Sequence, residues 1–151
     1  VARDRVLLVD HSEGHSTMRV HMQIGQRLPL YVAALGRCIA AHSGLGKAQL
    51  RQAFKSLRWE DPPSFEAYWR SVEEAREKGY AVDQGNFVRG ATTVSAVVLD
   101  GNGVPIMALS AVGFGAQLTP QRIAALGEDL RERTATVGRA LAGGGAGDNG
   151  G

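Results

Sequence analysis

Residues 92–112 hold two strand-like runs across a tight turn, and this pattern constrains the fold more than any other stretch. Thr92-Thr93-Val94-Ser95-Ala96-Val97-Val98-Leu99 leads into Asp100-Gly101-Asn102-Gly103, and Val104 to Val112 leads out. β-Branched residues suit the pleated backbone, and Asp-Gly or Asn-Gly supplies the left-handed conformations that join antiparallel strands. With Gly101 and Asn102 in the turn, Thr93 faces Ser110, Ser95 faces Ala108 and Val97 faces Ile106. With Asn102 and Gly103 there, Ser95 faces Ser110 instead. Either register sets hydroxyls side by side on a face otherwise made of Val, Ile and Ala. Such a face suits a solvated Thr–Ser pair, and equally a shallow apolar cup with a few placed donors.

Ahead of this hairpin the spacing changes to that of helices. Val6 to Val9 and Thr17 to Ile24 read as two short strands, joined as a hairpin through Ser12-Glu13-Gly14. Gly25 to Leu30 reads as a loop, where Pro29 keeps Leu28 out of the helical conformation. A helix follows from Tyr31 or Val32 to about His42, stopped by Ser43-Gly44, and a second runs from Lys47 to Leu57. Asp61-Pro62-Pro63-Ser64 starts a third, with Phe65, Tyr68, Trp69 and Val72 at helical spacing and Gly79 to close it. Thr119-Pro120 opens a last helix whose stripe is Ile123, Leu126, Leu130, Thr134, Val137 and Leu141. The order predicts an α+β domain with a largely antiparallel sheet flanked by helices. It occupies residues 1–142, and the Gly-rich run 143–151 is expected to be a flexible tail.

Composition narrows the function classes. The chain has 151 residues, 44% of them hydrophobic, enough for one buried core. Lys and Arg number 17 against 15 Asp and Glu, and they are not gathered into the dense basic patch of a nucleic-acid surface. Direct DNA contact by this segment is therefore not expected. A single cysteine, Cys38, excludes an internal disulfide and fits a reducing compartment, so a cytoplasmic location is expected. No apolar run approaches the ~18 residues of a membrane span. The start at Val1, without Met and close to strand-like sequence, suggests an excised module.

Few residues offer chemistry. His11 and His15 would share a helix face, but Gly14 and the strand context remove that geometry, so no metal is expected. Cys38 lies mid-helix beside Ile39 and reads as a buried, inert thiol. Glu73 to Lys78 is explained by a solvated helix face. No phosphate loop, dinucleotide loop or nucleophile signature occurs, so neither a cofactor nor an enzyme is expected. Ala33, Ala34 and Gly36 begin a helix with small side chains. These would let an anionic ligand reach the backbone N–H groups at the positive end of the dipole, or would serve helix-on-sheet packing.

Gly25 to Arg37, Ala75-Arg76-Glu77-Lys78-Gly79-Tyr80-Ala81-Val82-Asp83, and Val94 to Val112 with its Asp-Gly turn resemble the C-terminal domain of IclR-type bacterial transcription regulators. The resemblance runs from about Val6 to Leu141. It implies a GAF-like fold that senses a small-molecule effector, in a homodimer or homotetramer that reaches DNA only through a winged helix-turn-helix domain absent from this chain. It places the pocket at Ala34, Leu35, Asp83, Thr93 and Ser110, with Thr17, Val20 and Leu28 as the apolar wall. Leu35 stands where some relatives have a small residue, and Val112 where a second hydroxyl can occur. Trp59 to Pro63 replaces a threonine-rich linker. A less polar pocket follows, suited to an aliphatic or aromatic carboxylate. Two other readings remain: a small hydrolase or isomerase with Asp83 as base near Ser110, and a pure dimerisation domain with a filled cup.

Overall fold

The computed structural model describes residues 1, 4–14 and 23–144. In chain order the elements are β1 (Arg5–Leu7), β2 (Arg27–Pro29), α1 (Ala33–Ala41), α2 (Lys47–Phe54) and α3 (Phe65–Lys78). Then come β3 (Ala81–Gln84), β4 (Ala91–Leu99), β5 (Pro105–Phe114), a short 3-10 turn at Gly115–Gln117, and α4 (Pro120–Gly144). The expected α+β class is observed: β3, β4 and β5 form one antiparallel sheet, and β1 pairs with β2 in a second.

Helix limits follow their local chemistry. Ser64 caps α3 by accepting a hydrogen bond from the Ala67 N–H at 3.1 Å, and Gly79 ends it at φ +81°. The Thr119 hydroxyl accepts from the Arg122 N–H in the first turn of α4. That helix continues through Gly143 and Gly144, two residues into the run read as a tail. Residues 145–151 lie outside the described residues.

Two strand expectations change. β1 pairs with Arg27–Pro29, inside the segment read as a loop, and Ile24 stands in a turn. Gly25 at φ +89° turns the chain, and reciprocal bonds between Leu8 and Gly25–Gln26 prolong the ladder. Pro29 is tolerated because it ends its strand. Most of the Thr17–Ile24 strand lies outside the described residues. β3, which had not been read as a strand, pairs with β4 along its four residues.

The large sheet is covered on both faces. On one side, Ala34, Cys38, Leu50, Tyr68, Val72 and Ala81 form a buried cluster between α1, α2, α3 and the sheet. Full burial of Leu50 and Val72 contributes about 1.5–3 kcal/mol each. On the other side α4 lies against β4: a Cβ on Gly138 would fall 3.8 Å from Val98 Cγ1. Ile123 and Thr134 are the buried members of the predicted stripe, whereas Leu141 is exposed.

Candidate functional site

Alternation along the strands decides which side chains share the face beneath α1. Asp83 stands opposite Thr93, Thr93 opposite Val112, and Ser95 between Ala81 and Ser110. The chain from Asp100 to Val104 turns back with Gly103 at φ +77°, and the Asp100 carboxylate accepts from the Asn102 and Val104 N–H groups. Leu99 then pairs with Pro105, and a bulge between Val98 and Leu99 shifts the ladder by one residue. The first register is thus corrected: Thr93 does not face Ser110. The hydroxyls that meet are Ser95 Oγ and Ser110 Oγ, 2.7 Å apart. Ser95 is fully buried and Ser110 is exposed, so the pair leads from the core to the surface. One hydroxyl donates to the other, which leaves the acceptor's own proton available to a ligand.

The start of α1 is buried and shaped by backbone constraints. Its N-cap position is Val32, whose side chain cannot cap, and no acidic residue occupies the first turn. The leading N–H groups therefore have no competing side chain, and the helix dipole adds positive potential there. Ala33 sits at φ +61°, a left-handed conformation that costs a non-glycine residue of order 1–2 kcal/mol. Gly36 packs against the preceding turn so closely that a Cβ would lie 2.1 Å from the Tyr31 carbonyl carbon. The Tyr68 hydroxyl donates to the Tyr31 oxygen at 2.9 Å and fixes that turn. Ala34 and Leu35 are both buried. Ala34 lies one turn before Cys38, whose thiol donates to the Ser95 carbonyl at 3.2 Å, so Ala34 belongs to the side of α1 turned to the sheet.

Cys38 itself is a packing residue. Burial pushes its thiol up to about 12, against smaller lowering effects from a backbone hydrogen bond at Ala81 and the Arg37 charge. We expect no reaction with iodoacetamide at pH 8 in the folded protein and full labelling in denaturant, read by mass spectrometry. Rapid labelling of the folded form would contradict this packing.

Asp83 is engaged on both oxygens. Arg37 Nη1 donates to Oδ1 at 2.7 Å and the Phe87 N–H donates to Oδ2 at 3.0 Å, with both side chains almost wholly buried. Arg37 Nη2 donates to Asn86 Oδ1, and the guanidinium lies 5.5 Å from the Trp59 ring centroid and 5.8 Å from that of Tyr68. Asp83 thus ties α1 and the loop after β3 to the sheet. Each oxygen already accepts a hydrogen bond, and the register sets Asp83 opposite Thr93 while Ser110 lies opposite Ser95.

The remaining expected residues are dispersed. Leu28 is half-buried in β2, directly opposite Val6. Thr17, Val20 and His15 lie outside the described residues. Among the described residues no group of three His, Cys, Asp or Glu side chains could hold a metal. No helix there is long and apolar enough to cross a membrane. Sequence reasoning did not single out Arg37 as a partner of Asp83, and it placed Ser95 beside Ser110 only as one of two registers.

Comparison with known proteins bears on the family and the fold. The family model described as the C-terminal domain of bacterial transcriptional regulator IclR matches residues 1–139. The HTH-type transcriptional repressor AllR of Klebsiella pneumoniae is 28% identical over 150 residues, covering 91% of this chain and 52% of its own. AllR of Escherichia coli K12 is 28% identical over 144 residues with the same coverage. The chain spans about half the length of these curated relatives. Among solved structures, the IclR transcriptional regulator of Alicyclobacillus acidocaldarius superposes with a TM-score of 0.78 at 26% identity, over 94% of this chain and 58% of that one. The Thermotoga maritima IclR, at 23% identity, shares the fold with a TM-score of 0.79 over 94% and 59%. With nearly its whole length matched and its fold shared, the chain belongs to the IclR C-terminal family of bacterial transcriptional regulators.

Proposed function

We propose that this chain is the effector-sensing domain of a bacterial transcription regulator, and that the effector binds between the start of α1 and the Ser95–Ser110 pair. The observation that carries this reading is the 2.7 Å hydroxyl pair on the sheet face beneath a helix whose N-terminus has no side-chain cap. Backbone N–H groups at Ala34 and Leu35 receive a carboxylate, Ser110 and Thr93 bond further polar atoms, and Thr17, Val20 and Leu28 supply an apolar wall. Because Asp83 compensates the Arg37 charge, the positive potential for the carboxylate comes from the helix end. The effector is an aliphatic or aromatic organic acid.

The protein acts in the cytoplasm as a homodimer or homotetramer, and DNA is reached through a preceding winged helix-turn-helix domain. The relatives named AllR are repressors, and regulation here works by the same logic. An effector shifts DNA affinity only by its difference in affinity for two arrangements of the subunits.

The test is a thermal-shift screen against aliphatic and aromatic carboxylates. A ligand at one hundred times its Kd stabilises the folded domain by about 2.7 kcal/mol. Ser110→Ala leaves the buried Ser95 hydroxyl without its partner, so the unliganded Tm is expected to fall somewhat and the ligand response is read against the variant's own baseline. Its affinity for the effective acid is expected to fall roughly tenfold, the worth of one hydrogen bond. An unchanged response rejects Ser110 as a contact.

A further inference from the structure

Where β3 leaves the sheet, β4 begins and β5 ends, there is an open groove of about 490 Å³. Its walls include Gln84, Gly90, Thr92, Phe114, Gly115 and Gln117, and none of its lining residues is charged. Thr92 precedes Thr93 on β4, so its side chain leaves the opposite face of the sheet from Thr93 and Ser95. The groove is therefore separate from the face that carries the hydroxyl pair.

Two observations mark the groove as a place for a ligand. Thr92 is only 3% exposed, yet among the described residues its hydroxyl has no hydrogen-bond partner. Among these residues the buried side-chain atoms without a partner are Arg37 Nε and Trp59 Nε1, so the Thr92 hydroxyl keeps contact with solvent and meets it from the groove. The second observation is the space above that hydroxyl. A Cβ on Gly115 would come within 3.2 Å of Thr92 Oγ1, so the glycine keeps open the position from which a ligand atom would meet the hydroxyl. Gln84 and Gln117, whose carboxamides carry donors and an acceptor, also line the groove, together with the aromatic Phe114.

We propose that this groove is a second binding site, and that it takes a small neutral molecule carrying a carboxamide or lactam group beside an apolar part. The ligand's carbonyl accepts from the Thr92 hydroxyl, and its N–H groups bond the glutamine oxygens. A charged ligand would lose its hydration without an opposite charge among the groove's residues, which disfavours a carboxylate here.

The experiment uses the ¹⁵N-labelled domain titrated with benzamide, 2-pyrrolidone and N-methylacetamide, with benzoate as the charged counterpart. We expect saturable amide shifts at Gly85, Gly90, Gly115 and Gln117 with at least one neutral amide. Thr92→Val keeps a β-branched strand residue and removes only the hydroxyl, and is expected to weaken that binding about fivefold to tenfold. Gly115→Ala fills the space over the hydroxyl and should weaken it further. Ser110→Ala should leave the groove shifts unchanged. Absence of groove shifts with all three amides overturns the proposal, as does equal affinity in Thr92→Val and wild type. Loss of the groove shifts in Ser110→Ala would overturn the separateness of the site. Failure of the carboxylate screen leaves these readouts unaffected, so the two sites are judged independently.

Discussion

Gly36→Ala is expected to destabilise the domain by about 3 kcal/mol or more, and to abolish effector binding in any fraction that still folds. On an exposed helix the same change would stabilise by about 1 kcal/mol, because alanine is the better helix former. Here the added Cβ would lie 2.1 Å from the Tyr31 carbonyl carbon and 2.7 Å from its Cα. These are backbone atoms, so no side-chain rotation relieves the clash. The turn cannot simply lift away, because the Tyr68 hydroxyl holds the Tyr31 oxygen and the Gly36 N–H bonds the Val32 oxygen. Any relief must move residues 31–33 and with them the leading N–H groups of α1. Urea denaturation checks the magnitude, and a midpoint at or above wild type would show that α1 does not start as described.

Removal of the Asp83 carboxylate is the second large effect. Asp83→Ala leaves the Arg37 guanidinium buried without its counter-charge and the Phe87 N–H without its acceptor. Breaking a buried pair in this way costs about 3–5 kcal/mol. The pair's own net worth is smaller, since both charges were taken out of water to form it. Arg37→Met combined with Asp83→Leu is therefore expected to recover much of the loss, despite the extra volume changes. A double-mutant cycle by denaturation measures this directly. A loss under about 1 kcal/mol for Asp83→Ala would mean that the carboxylate does not pair with Arg37.

Features fixed by local chemistry were legible in the sequence. Ser64 and Gly79 bound α3 because capping needs only residues close to the helix end. Ile123 and Thr134 fell on the buried side of α4 because a periodicity of 3.6 holds over its length. The features that position the site were less legible, because they depend on distant residues. The bulge at Val98/Leu99 has no glycine or other local marker, yet without its one-residue shift Val94, not Ser95, would meet Ser110. Asp83 is 46 residues from Arg37, and no spacing in the sequence links the two. β1 and β2 pair over three residues each, too few for alternation to stand out, and Pro29 reads only as keeping Leu28 out of a helix within a loop. The small side chains Ala33, Ala34 and Gly36 announced a close approach, but its partner, the Tyr31 backbone, became evident only in three dimensions.

The most direct test is a map of where an organic acid binds. The ¹⁵N-labelled domain should be titrated with a panel of aliphatic and aromatic carboxylates while the backbone amide resonances are followed. The expected result is saturable binding of at least one acid, with the largest shifts at Ala34, Leu35, Ser95 and Ser110. Saturable shifts confined to other parts of the domain, or none with any acid of the panel, would contradict a sensing site between α1 and the paired serines.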